Sequence, residues 1–219
     1  RDISRFDRVT SVAMAKSTAG VASNSLDGET RARQFMRSAL DILGETGRTE
    51  FTVLQVVERS KTSLRAFYQH FATKDELVLA LIDAMLTEFV TTWQAEAAEL
   101  EPAAALRALV DRICVPPASS TQDSINRGLT FYHDRLAETM PDDYGRVLTP
   151  LHALIVDIVE RGMADGTFAP GLDVEATAAL VMQTIFGALR LRALGPGLEL
   201  TPIGSERTKN TELNQQLHV

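Results

Sequence analysis

A chain of 219 residues, 45% of them hydrophobic, is long enough for one large or two small domains with genuine cores, which excludes disorder as the default. A single cysteine, Cys114, excludes an intramolecular disulfide framework and fits a reducing compartment. No uncharged apolar run reaches the ~18 residues of a membrane span, and no basic-then-apolar leader is visible, so no membrane partner and a cytoplasmic location are expected.

The net charge of −7 argues against nucleic acid only until the chain is divided. Residues 1–80 hold 12 Lys+Arg against 10 Asp+Glu, whereas residues 81–219 hold 10 against 19. Phosphate affinity depends on the field within about a Debye length, ~8–10 Å at physiological salt, so a mildly basic N-terminal third can meet a polyanion despite an acidic remainder.

In chain order, residues 1–26 are rich in Ser, Thr, Ala and Val without helical periodicity and are expected to form a flexible tail. Met14, followed by Ala15 and Lys16, is a candidate start that would make residues 1–13 an upstream extension. Arg1, Arg5, Arg8 and Lys16 are candidates for a basic arm, against the plainer reading of a solvated tail.

Helical periodicity then begins. Ala32, Phe35, Met36, Ala39, Leu40 and Leu43 recur on one helical face, and Gly47 offers a C-terminal stop. Thr52 can cap a short second helix with Val53, Val56 and Val57 inward, and Ser60-Lys61-Thr62 breaks the pattern. Ser63 restarts it, with Leu64, Phe67 and Phe71 spaced for one inward face of a third helix. Thr73-Lys74-Asp75-Glu76 has capping-box form and opens a long fourth helix.

Two short helices joined by a tight turn make a helix-turn-helix. The run Phe67-Tyr68-Gln69-His70-Phe71, then Thr73-Lys74-Asp75-Glu76-Leu77, behind the cap at Thr52, resembles the TetR (tetracycline repressor) family over roughly Thr30 to Leu81. The turn departs from the family pattern of Gly and an apolar residue, having Lys61 and Thr62. A non-Gly residue takes a left-handed turn only at some energetic cost, which leaves the interhelix angle open.

A recognition helix enters the major groove with its first residues nearest the base edges. Arg65 is the best direct reader, because a guanidinium binds guanine bidentately. Ser63, Leu64, Ala66 and Gln69 lie close enough to touch bases or backbone. Lys61 reads as a phosphate contact or a solvated turn residue. The resemblance implies a DNA-facing role for Thr52, phosphate contacts for Tyr68 and His70, and added charge from Lys74 at the start of helix four. Without it, Tyr68 and His70 read as partly buried core residues.

Beyond Leu77 the pattern changes. Leu77, Leu81, Met85, Phe89 and Trp93 lie on more than one face of helix four, which suits a lever wedged between two domains. A fifth helix starts near Pro102, with Leu106, Leu109, Val110 and Ile113 inward, and ends at Pro116-Pro117. A sixth runs from about Ser120 to Met140 along Ile125, Leu129, Tyr132 and Leu136, and two last helices span about Tyr144 to Ala164 and Val174 to Leu194.

Leu148, Leu151, Ile155, Ile158, Val159 and Met163 form one stripe on that last pair, and Ala179, Leu180, Gln183, Phe186, Gly187 and Arg190 a second. Together they suggest a two-fold four-helix interface and a homodimer, with an ordinary internal core as the plainer reading. Phe89, Trp93, Phe131, Tyr132, His133, Met140, His152, Met182 and Phe186 are candidates for a pocket taking a largely apolar small-molecule effector. No metal-spaced cluster, phosphate loop, nucleophile elbow or carboxylate pair is found, which argues against an enzyme and implies no cofactor.

The expectation is an all-α protein. Residues 1–26 are a tail, 27–76 a helix-turn-helix domain, 77–195 a helical sensing and dimerisation domain, and 196–219 a second tail. Its partner is a double-stranded, palindromic DNA operator, released by an effector. The alternative is a helical carrier or adaptor that no longer binds DNA, which the altered turn at Lys61-Thr62 would favour.

Overall fold

The computed structural model describes residues 24–194, with side chains from Thr30 onward. The basic-arm residues, the expected C-terminal tail and most of the expected N-terminal tail lie outside that range. Regular structure among the described residues is entirely helical: α1 (Asn24–Thr46), α2 (Val53–Arg59), α3 (Leu64–Tyr68), α4 (Lys74–Glu99), α5 (Pro102–Cys114), α6 (Ser120–Thr130), α7 (Tyr132–Thr139), α8 (Pro141–Ala164) and α9 (Val174–Ala193).

Local chemistry sets most of these boundaries. Gly47 adopts φ 63° and donates its amide to the Leu43 carbonyl at 2.8 Å, ending α1 as expected of a C-terminal glycine. At the other end α1 begins at Asn24, inside the stretch expected to be tail. The expected single helix from Ser120 to Met140 is interrupted at Phe131, which caps α6, turns outward and is 45% exposed, while Tyr132 and Leu136 of α7 are buried. Pro141 occupies the first turn of α8, three residues before the expected start, a position where a missing amide costs nothing.

Two hydrophobic cores follow. The first gathers Phe35, Met36, Leu43, Val56, Val57, Phe67 and Phe71 with Leu77, Val78, Leu81 and Ile82 of α4, and closes over Ile125, Leu129, Tyr132, Leu136, Tyr144 and Val147. The second holds Val90, Trp93, Leu109, Leu151, Ile155, Ile158, Met182 and Ile185. Leu86 and Leu148 touch both. The apolar interior thus does not divide at residue 76: three short helices bury too little alone, and α1 leans on α6 for cover. That seam is close, since a β-carbon on Gly44 would sit 2.7 Å from the Thr121 methyl, and one on Gly128 3.2 Å from the Gly47 carbonyl carbon.

The stripe Leu151, Ile155, Ile158 and Val159 on α8 is buried within this chain's own second core. It is therefore not free to form half of a four-helix interface, as the sequence suggested. On α9 the outcome is opposite: Leu180 is 67% exposed, Ala179, Gln183, Gly187 and Arg190 are exposed, and Leu191 and Leu194 also face out. By length and composition α9 could cross a membrane, although Glu175 and Arg190 bound its uncharged stretch.

Candidate nucleic-acid interface

The candidate interface rests on an aromatic base. Phe35, Phe67 and Phe71 pack edge-on or tilted, with Phe35 5.3 Å from Phe67 and 6.5 Å from Phe71, and this fixes α3 against α1. Each short helix is capped by its own sequence. The Thr52 hydroxyl accepts from the Gln55 amide at 3.2 Å and the Gln55 side chain accepts from the Thr52 amide at 2.7 Å, a reciprocal box that satisfies two otherwise orphaned donors. Ser63 caps α3 by accepting from the Ala66 amide at 3.2 Å.

Between them, Lys61 takes φ 54°. Its amide donates to the Glu58 carbonyl at 3.1 Å and the Thr62 amide to the Val57 carbonyl at 2.9 Å, the bond pair of a Schellman ending. Gln34 of α1 donates to the Ser60 carbonyl at 2.6 Å, and the Ser60 and Thr62 hydroxyls are 2.8 Å apart. The left-handed residue that glycine would supply is thus supplied by Lys61, and the turn keeps its shape without glycine.

With the turn fixed, α3 presents Ser63, Leu64, Arg65, Tyr68 and Gln69 outward, Leu64 at 43% and Tyr68 at 56% exposure. Leu64 therefore does not join Phe67 and Phe71 on the inward face. Ala66 is buried and cannot touch a partner, because it lies on the same side as Phe67. Tyr68 stands edge-on to Phe67 at 5.5 Å with its rim in solvent. His70 is half-buried against Phe35 at 6.1 Å, where burial, and then the charge of Arg31, hold its pKa below the usual histidine value. Thr52 and Lys61 are exposed.

Lys74 differs from its expected role. Its ammonium donates to the Thr49 carbonyl and lies over the Phe51 ring at 4.6 Å and the Tyr132 ring at 5.5 Å. Burial lowers its pKa. Its charge is turned into the protein by an aromatic pair that favours a cation. Thr73 caps α4 by accepting from the Glu76 amide at 3.1 Å, while the Glu76 carboxylate reaches past Thr73 to the Ala72 amide at 2.7 Å.

Beside Lys74, Asp75 is buried, and sequence reasoning missed it. It accepts from Arg135 Nε at 2.8 Å, from Thr139 Oγ1 at 3.4 Å and from the Tyr132 hydroxyl. The Arg135 hydrogen bond, opposed by burial and helped by Tyr132, holds its carboxyl below the usual range. A signal was present: Asp75 shares the inward register of Val78 and Ile82, an acid in an apolar stripe.

The candidate effector residues do not form one group. Tyr132 and Met140 belong with the first core, and Phe89, Trp93, Met182 and Phe186 with the second. Phe131 points to solvent, because the break between α6 and α7 turns it out. His152 lies 3.3 Å from Glu175. Two surface hollows, one bounded by Leu100, Pro102 and Arg161 and the other by Ile42, Gln55 and Arg59, involve none of these residues. Between the two groups, His133 Nδ1 lies 2.8 Å from the Tyr144 hydroxyl and its ring 5.1 Å from that of Phe186. Burial, with Arg190 nearby, pushes the His133 pKa down to about 4, and burial pushes Tyr144 up to about 12. Trp93 is fully buried, 6.3 Å from Phe89, and its indole N–H finds no acceptor among the described residues.

The profile described as "Bacterial regulatory proteins, tetR family" matches residues 35–81, the segment that builds the caps, the turn and α3. That match spans a minority of the chain, so it is this segment that carries the tetR-family signature. Among the described residues the fold is all-α, with a helix-turn-helix inside the matched segment. Solved structures share the overall fold at low identity. A fatty acid degradation regulator, FadR, from Bacillus halodurans aligns at 16% identity with a TM-score of 0.62, covering 75% of this chain and 84% of that one. A TetR transcription regulator from Haloarcula marismortui aligns at 22% identity, TM-score 0.59, over 75% and 86%. FadR from Bacillus subtilis, solved in complex with stearoyl-CoA, aligns at 16% identity, TM-score 0.54, over 74% and 86%. No curated protein sequence matches the chain.

Proposed function

We propose that this chain is a tetR-family transcriptional regulator, a cytoplasmic, ligand-released repressor that binds a palindromic double-stranded operator as a homodimer. The observation that carries the reading is the outward face of α3, where a guanidinium, an amide, a hydroxyl and a leucine project together from a helix braced by buried aromatics. These groups match the donor, acceptor and methyl pattern of the major groove. Arg65 and Gln69 read base edges, Leu64 meets a thymine methyl, and Thr52, Lys61, Ser63, Tyr68 and His70 approach the backbone. Lys74 is reassigned from phosphate contact to holding the start of α4 in place. The well-formed turn at Lys61 removes the feature that favoured a carrier without DNA binding.

Dimerisation is assigned to α9, whose exposed leucines and small residues offer an apolar surface for a second copy. The effector is assigned to the neighbourhood of Phe89, Trp93, Met182, Phe186 and His133, where these packed side chains would move apart to admit it. Trp93 has an indole N–H with no acceptor among the described residues and His133 a neutral imidazole, so a largely apolar molecule with a hydrogen-bond acceptor suits this region.

Selection from a random-sequence duplex pool tests the reading. The wild-type protein is expected to enrich a two-fold symmetric consensus with half-site centres about 10 base pairs, or a multiple of that, apart. A pool that stays unenriched at low salt contradicts it.

A further inference from the structure

Helix α7 forms side-chain bonds in two directions. Tyr132, Arg135 and Thr139, three and four residues apart, converge on Asp75 in the first turn of α4. His133 instead meets Tyr144 of α8 and the Phe186 ring of α9, and Asp134 accepts from Arg190 of α9. The Asp75 end continues toward the candidate reading helices. Lys74 lies over the Tyr132 ring, over Phe51 and on the Thr49 carbonyl, immediately before the Thr52 cap of α2.

Asp75 and Tyr132 are buried, whereas Arg135 meets them from the solvent side with its side chain 58% exposed. The groups facing the Asp75 carboxylate are Arg135, Tyr132 and Thr139 from α7, with the Lys74 ammonium beside it. Shared seating on α6, through the close approach at Gly44 and Gly128, keeps α1 from sliding away from this junction. Helix α4 also runs through both cores, so two routes join the ends of the molecule: along α4, or across α7.

We propose that α7 is the coupling bracket of this chain, with Asp75 as the positioning residue through which a shift of α9 reaches α2 and α3. The proposal rests on the reading of α2 and α3 as the DNA-facing helices and of α9 as the dimer helix. A ligand or partner that displaces α9 moves Asp134 and His133, rotates α7, and pulls on Asp75. The first turn of α4 then carries Lys74 and the lead into α2 with it. Two discrete packings of α7 would suffice, because a packed junction switches rather than deforms continuously.

The test needs neither effector nor operator. Amide hydrogen exchange of α2 and α3 is measured in the full-length chain for wild type, Arg190→Gln, Asp75→Asn and the double variant. Arg190→Gln cuts the bracket at its α9 end, at a half-exposed side chain. It is expected to speed α2 and α3 exchange about fivefold in the wild-type background, in the range typical of site-to-site coupling. In the Asp75→Asn background it should change nothing. Equal acceleration in both backgrounds assigns the coupling to α4 and overturns the proposal, as does no acceleration in either. If Asp75→Asn does not fold, Arg135→Gln makes the same cut from the exposed side of the pair. Failure of the DNA-binding reading shows separately, as an unenriched duplex pool.

Discussion

Helices α3 and α9 both expose large apolar side chains, but they do so in different company. On α3, Leu64 and Tyr68 stand among Ser63, Arg65 and Gln69, on a helix of five residues held by caps and buried phenylalanines. On α9, Leu180 and Leu191, with Leu194 at the C-cap, stand along a twenty-residue helix beside Ala179 and Gly187, with Gln183, Thr184 and Arg190 interspersed. A mixed surface retains its hydrogen bonds to water until a polar partner replaces them, and so suits a groove lined with donors and acceptors. A long surface on which leucines and small residues are spaced by few polar groups gains by leaving water and so suits another protein surface. Exposure alone does not name a partner; the chemistry of the neighbouring residues does.

The largest expected effect falls on α9. Leu180→Arg places a charge where a second copy would bury an apolar side chain, and should weaken self-association by about 2 kcal/mol or more. Sedimentation at micromolar concentration should then show a monomer where the wild type is a dimer. A variant that remains dimeric moves the interface elsewhere and ends the contrast between the two helices.

A smaller effect is expected beside α3. Lys61→Gly relieves a left-handed lysine at a position where the bond pair to Glu58 and Val57 is already formed. The relief exceeds the extra chain entropy of glycine, so thermal unfolding should show a gain of about 0.5–1 kcal/mol. A loss instead would mean that the lysine side chain, rather than the turn geometry, stabilises this corner.

Much of the candidate interface was legible in the sequence because capping and turn chemistry are local. Thr52, Ser63 and Thr73 each cap the helix they precede, and a hydroxyl three residues before an amide is visible in one dimension. Leu64 was misplaced because a five-residue helix is too short for periodicity to separate inward from outward, and Ala66 was given an outward role that Phe67's packing denies it. Lys74 was given an outward role and Asp75 none, because their partners Tyr132 and Arg135 lie far along the chain, and nothing local reports a contact at that separation. The α8 stripe was assigned to a partner for the same reason: periodicity shows that a face is apolar, and only packing shows what covers it.

Base reading by α3 depends most directly on Arg65, exposed on the outward face of that helix. Binding of wild type and Arg65→Ala is to be compared on the duplex that wild type selects and on unrelated duplex of equal length. The variant is expected to lose about 1–3 kcal/mol on the selected duplex, with preference relaxed at one position per half-site, while binding to unrelated DNA changes little. Equal losses on both duplexes, or an unchanged consensus, would contradict base reading by α3.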